Sequence, residues 1–178
     1  MTNLHRFLIG AALASAALAA GVPQPSPPLE ILRLNAPTLH LSQYRGRIVV
    51  LALISTSCPH CQQFTVTLNI LEREFASRGV QFLECAFNED APRALPEFLD
   101  RFHPPFPVGY TSPAAVNTYL RRTLFDPHPL YVPHLVVLDR AGRIHSEFPG
   151  EDAFFQSAEE NLRALLEGML KPAARPSK

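Results

Sequence analysis

The chain has 178 residues, 47% of them hydrophobic and 18% charged, which is the composition of one ordinary globular domain and excludes a disordered or fibrous chain. Sixteen Lys and Arg cancel sixteen Asp and Glu, so no net field draws in nucleic acid or anionic lipid, and no nucleic-acid role is expected. Three cysteines are too few for a disulfide-stapled scaffold, and eighteen prolines, about twice the usual share, mark loops and helix starts.

His5 and Arg6 precede a charge-free run from Phe7 to Val22, closed by the small residues Ala17 to Gly21. A positive start, an apolar stretch and an Ala17-Leu18-Ala19 site are the pattern of a signal peptide over residues 1–21. The run is shorter than the about 20 residues a comfortable membrane span requires, which leaves an uncleaved anchor as the weaker alternative. Residues 22–28 are Pro-rich and read as an extended linker, residues 29–171 as the folded domain, and residues 172–178 as a tail. Export places the three thiols in an oxidising compartment, periplasmic in a bacterium, where a disulfide persists.

Within the domain, Leu29 to Leu41 holds short apolar stretches split by Asn35-Ala36-Pro37, the pattern of a small antiparallel hairpin. Ile48 to Ile54 is continuously apolar and of strand length, as a strand buried on both faces must be. After Ser55-Thr56-Ser57, the residues Phe64, Leu68, Leu71 and Phe75 recur at helical spacing, and Gly79 ends that helix. Val80 to Phe87 is a second buried strand, interrupted by Glu84. A short helix is expected from Leu95 to Phe102, starting near Pro96 and stopped by His103-Pro104-Pro105, and an edge strand from Phe106 to Tyr110. Ser112-Pro113 is an N-cap with proline at the first helical position, which predicts a helix from Ala114 to about Thr123 that buries Val116, Tyr119 and Leu120. Leu135 to Leu138 and Arg143 to Phe148 form a hairpin, and Glu151 to Leu170 a last helix with Ala158, Leu162, Leu165 and Met169 inward.

The chemistry concentrates at Cys58-Pro59-His60-Cys61, where a buried strand and a three-residue turn deliver two cysteines to the first turn of a helix. Unpaired N–H groups and the partial positive charge at a helix start stabilise a thiolate at Cys58, which is therefore the attacking sulfur. Cys61, one turn deeper, attacks the mixed disulfide and releases the partner. His60 adds a donor or a cation beside that thiolate and, with Pro59, tunes the pair; stabilising the reduced form moves it toward an oxidising couple. Read as half a zinc site, the motif lacks a second Cys pair or a close His pair. Cys85 reads as plain core, with a third reshuffling thiol as the alternative. Arg121-Arg122 reads as the solvated face of its helix.

At these residues the chain resembles the thioredoxin superfamily, in particular its extracytoplasmic TlpA/ResA-like branch. The resemblance runs from about Leu32 to Leu170 and rests on Gly46 to Leu51, on Cys58-Pro59-His60-Cys61, and on Val132-Pro133-His134-Leu135-Val136-Val137-Leu138-Asp139 followed by Gly142. It implies a thioredoxin-like α/β fold with a central mixed β-sheet flanked by helices, here with an N-terminal β-hairpin extension. It implies a cis peptide bond before Pro133, and Val132 and Pro133 as the positions that bind the substrate chain opposite the sulfurs. Ser57 stands where the family usually has tryptophan, and Ala52 where cytoplasmic thioredoxins carry a buried acid, which leaves the proton acceptor for Cys61 unassigned. His134, directly after the proline, is placed to lie close to the sulfurs.

The expected function is protein thiol–disulfide exchange by an exported enzyme that uses a Cys58–Cys61 redox disulfide and no other cofactor or metal. Its partners would be exported protein thiols and disulfides and a membrane-bound redox donor or acceptor, and a monomer is expected. One alternative is a copper-binding chaperone using Cys58, Cys61 and His134, with His103 and His128 nearby. A weaker one is a thiol peroxidase, against which stand Leu51 and Ser55 where related peroxiredoxins carry Pro and Thr.

Overall fold

The computed structural model describes residues 24–171, apart from residues 124, 127 and 128. The expected signal peptide, the tail and His128 therefore lie outside the described residues.

Among the described residues, eight strands form one sheet: β1 (Gln24–Pro25), β2 (Glu30–Arg33), β3 (Ala36–His40), β4 (Ile48–Ile54), β5 (Val80–Ala86), β6 (Val108–Tyr110), β7 (His134–Leu138) and β8 (Arg143–Phe148). They are ordered β1-β8-β7-β4-β5-β6-β2-β3, with β4, β5 and β6 parallel and the other neighbours antiparallel, so the sheet is mixed as expected. Every residue of β4 is buried, because helices cover both faces of the sheet's centre. Ile48, Val50, Ala52 and Ile54 face a core closed by α1 (Pro59–Phe75), α2 (Ala91–Phe102) and α4 (Ala158–Leu170). Val49, Leu51 and Leu53 face a second core with Val116 and Tyr119 of α3 (Pro113–Tyr119) and with Leu29, Ile31 and Leu39 of the N-terminal hairpin. The period of two along β4 thus assigns each chemical group on a neighbouring strand to one face or the other.

Five expectations are corrected. α2 starts at Ala91, not near Pro96, and Pro96 lies inside it. Burial of Ala91, Leu95 and Phe98 on one stripe outweighs the backbone hydrogen bond that Pro96 does not donate. The strand at Val108–Tyr110 is not an edge strand: β5 pairs with it on one side and β2 on the other, because the hairpin extends the sheet. α3 stops at Tyr119 rather than about Thr123, and Arg121 takes a left-handed φ of 54°. That turn swings the Arg121 guanidinium onto the Gln24 side chain and the Pro25 carbonyl, so it holds the N-terminal strand instead of facing solvent alone. The last helix is likewise not continuous, since Ala153–Ser157 is a 3-10 turn capped by the Asp152 carboxylate. The turn stacks Phe154 on Phe148 and sets Phe155 edge-on to Phe64. Leu162 and Leu166 are the buried residues of α4, while Ala158, Leu165 and Met169 pack at its margin.

No helix among the described residues is long and apolar enough to cross a membrane. The hairpin docks where Gly109 of β6 meets β2 with no room for a side chain: a Cβ there would strike the Leu32 carbonyl and stand 2.6 Å from Ile31 Cγ2. Gly109→Ala is expected to cost about 1–3 kcal/mol by overpacking, and so to lower the melting temperature by roughly 2–4 °C per kcal/mol. An unchanged melting curve would show that the hairpin docks more loosely than the structure has it.

Candidate active site

β4 ends at Ile54, and the next three residues turn the chain so that Cys58 becomes the N-cap of α1. The turn is held from several sides. Cys58 N–H donates to the Ser55 carbonyl at 3.1 Å, and the Gln62 amide donates to the Thr56 carbonyl at 2.9 Å. Asn88, just past β5, accepts from the Thr56 N–H at 3.1 Å and donates to its hydroxyl at 2.9 Å. Pro59 fits the first turn because its missing N–H is one that would find no helical partner there.

The Cys58 sulfur accepts from the Cys61 backbone N–H at 3.4 Å, which aims a helix-start donor at the sulfur. Cys58 is half-buried, whereas Cys61 is fully inside, and all three cysteines are unpaired. On its outer side the Cys58 thiol points at the Val132 carbonyl at 3.8 Å. The Val132–Pro133 bond is cis. Gly150 packs against this loop, and a Cβ on it would stand 2.8 Å from Val132 N, so a small residue there lets the loop approach the sulfur. Beside the cysteine lies an open groove of about 700 Å³ lined by His60, Phe64, Tyr131, Val132, Phe155 and Arg163, among others. His60 and Pro59 are both exposed, and His60 lines the groove.

Behind the pair, burial pushes the Cys61 thiol well above the ordinary cysteine range, and the neighbouring Cys58 and Glu84 push it in the same direction. Glu84 breaks the apolar run of β5 but not the strand, which continues to Ala86. The Glu84 carboxyl faces α1, where the Thr65 hydroxyl lies 2.8 Å from Oε1 and 3.0 Å from the Cys61 carbonyl. Its Oε2 is buried and meets no partner. An unsatisfied buried oxygen of this kind costs about 1–3 kcal/mol. Desolvation raises the carboxyl to about 8, against the Thr65 hydrogen bond, which pulls it down. Thr65, Gln62 and Asn88 were not singled out in the sequence, and only Glu84, a charge inside an apolar strand, carried a signal there.

His134, expected near the sulfurs, is elsewhere. His134 lies in register with Leu53, and its ring is turned to the opposite face of the sheet, where Nε2 meets the Glu147 carboxylate at 2.9 Å. Alternation along β7 forces this, since Leu135 and Val137 occupy the face that packs against α1. The structure therefore does not assemble Cys58, Cys61 and His134, and among the described residues no group of three or more His, Cys, Asp or Glu is placed to hold a metal ion. His103 caps α2 in a left-handed conformation and is exposed. Cys85 follows Glu84, so it points into the second core, packed with Leu53, Val116 and Tyr119, and the sheet separates it from Cys61. That placement makes it core and not a third exchanging thiol.

The Glu84 carboxyl has a consequence for stability. Between pH 4.5, the ordinary value, and about 8, the folded protein keeps a proton that the unfolded chain has released, so stability falls as pH rises across that window. Glu84→Gln stays neutral throughout. Its stability advantage over the parent, read from urea midpoints between pH 5 and 8, is expected to grow by up to about 1.4 kcal/mol per pH unit. A constant difference between the two proteins would contradict the burial of an ionisable Glu84.

No curated protein sequence matches the chain. Solved structures do. A Chlorobium tepidum protein proposed to be the thiol:disulfide interchange protein DsbE superposes with a TM-score of 0.70 at 17% identity, covering 84% of this chain and 97% of that one. A second thiol:disulfide interchange protein of the thioredoxin family from Chlorobium tepidum gives 0.66 at 18% identity, with 86% and 100% covered. The thioredoxin domain of a thiol-disulfide oxidoreductase from Bacteroides vulgatus gives 0.66 at 15% identity, with 87% and 100% covered. Likenesses at such identities establish the thioredoxin-like fold. The redoxin family model matches residues 19–166, most of the chain, and the protein belongs to the redoxin family.

Proposed function

We propose that the protein is an exported thiol–disulfide oxidoreductase that exchanges disulfides with other exported proteins through Cys58 and Cys61. The observation that carries this reading is the asymmetry of the pair: one half-buried sulfur caps a helix and meets Val132 at the edge of a groove, and the other is fully buried one turn behind it. Cys58 is the sulfur a partner reaches. It attacks a partner disulfide, or accepts attack by a partner thiolate when oxidised, and in either direction a Cys58–partner mixed disulfide is the intermediate. Cys61 is too deep to meet a protein partner, but it lies within the same helical turn as Cys58 and resolves that intermediate.

An extended partner segment lies in the groove alongside Val132 and Pro133, with the cis bond presenting the Val132 backbone beside Cys58. His60, exposed beside the nucleophile, contributes a donor or a cation to the thiolate and so favours the reduced pair. A membrane-bound redox partner restores the starting state after each turnover. Export rests on the apolar run from Phe7 to Val22.

Cys58→Ser is expected to bring turnover of a protein disulfide down to the uncatalysed rate, and Cys61→Ser to accumulate mixed disulfides visible by non-reducing electrophoresis and released by thiol. Cys85→Ala is expected to keep full exchange activity. Turnover surviving in Cys58→Ser, or lost in Cys85→Ala protein that folds, would overturn the assignment.

A further inference from the structure

Glu84 is a buried charge-bearing group that the exchange cycle has not yet used. The strands that flank it bring no charge: β4 presents Ala52 in register and β6 presents Val108. What α1 brings is Thr65, whose hydroxyl touches both the carboxyl and the Cys61 carbonyl, and Cys61 itself. Burial and the Thr65 hydroxyl set the environment of the carboxyl, and the titratable group coupled to its charge is the Cys61 thiol, with Cys58 beyond it. A buried carboxyl with one oxygen unpartnered therefore stands across the Thr65 hydroxyl from the residue whose buried thiol must lose a proton before it reacts.

We propose that Glu84 is the proton acceptor for Cys61 when the mixed disulfide on Cys58 is resolved. The step rests on the exchange reading above and balances without an outside oxidant. The Cys61 S–H proton passes to the Glu84 carboxylate, and the Cys61 sulfur attacks the Cys58 sulfur. The Cys61–Cys58 bond forms as the bond from Cys58 to the partner sulfur breaks, and the partner leaves as a thiolate that takes a proton from water. Run in reverse, the neutral carboxyl returns the proton to Cys61 as the disulfide opens.

Thr65 suits both states of the acid. Its single hydrogen turns to Oε1 when Glu84 is ionised; when Glu84 is neutral, the carboxyl donates to the hydroxyl, which passes its own hydrogen to the Cys61 carbonyl. An acid raised to about 8 is also matched to proton transfer near neutral pH, where a catalytic group works best.

The test is stopped-flow reaction of the reduced protein with one equivalent of dithiobis-nitrobenzoate, a chromogenic disulfide. The first nitrothiolate released reports attack by Cys58, and the second reports attack by Cys61 on the resulting mixed disulfide. Glu84→Gln is expected to leave the first phase within about twofold and to slow the second by roughly 10²-fold, with its pH inflection moved upward. Glu84→Asp, a shorter acid, is expected to recover part of the second phase. A first phase at the parent's rate, with the buried Cys85 still unreactive, reports that each variant is folded. A second phase that keeps its rate and pH profile in Glu84→Gln overturns the role of Glu84 and leaves the exchange reading standing. Release of a single equivalent by the parent protein overturns the exchange reading and this step with it.

Discussion

The site depends on where one strand stops. β4 is apolar over its whole length because both of its faces are covered, and it can end only where the chain comes out of the core. The turn after Ile54 brings Cys58 out just as the N–H groups of α1 need a cap, and the sulfur supplies it by accepting from Cys61 N–H. Capping of the helix start and placement of the Cys58 sulfur are thus the same hydrogen bond. The brace from Asn88 to Thr56 and the bond from Gln62 to the Thr56 carbonyl fix the turn that makes this bond possible.

The sheet then divides the chemistry between its two faces. On the face covered by α1 lie Cys61, Thr65 and Glu84, a short polar path inside an otherwise apolar core. On the other lie Cys85 and the His134–Glu147 pair. Adjacent residues, Glu84 and Cys85, have unlike surroundings for this reason alone. The carboxyl is kept on the face of the buried Cys61 and the third thiol on the other, which under the proposed function would limit exchange to one pair.

Much of this was legible in the sequence because its causes are local. A continuous apolar run, a turn, and two cysteines at the start of an amphipathic stripe define strand, loop and helix without reference to anything distant, and β4, α1 and β5 stand where the pattern puts them. The cis bond at Pro133 came from resemblance, not from pattern. What the sequence hid depends on partners far along the chain. Glu84 read as a flaw in a strand because Thr65, nineteen positions away, is what gives it a place. His134 read as a neighbour of the sulfurs because it follows the proline, although strand alternation sends its ring through the sheet. Phe106 to Tyr110 read as an edge because the hairpin that covers it is separated from it by most of the domain. Arg121 read as surface, since nothing local announces that the segment at Gln24 and Pro25 returns to it.

Under the proposed function, Cys58 and Cys61 form one reversible two-electron couple from which Cys85 is excluded. Equilibration of the folded protein in a series of glutathione redox buffers, followed by acid quenching, alkylation in denaturant and mass analysis with peptide mapping, addresses it directly. The expected result is a single transition in which two of the three thiols appear and disappear together, both mapping to the Cys58-Pro59-His60-Cys61 segment, while Cys85 is alkylated at every potential. A transition that includes Cys85, or a pair that never closes at any buffer ratio, would contradict it.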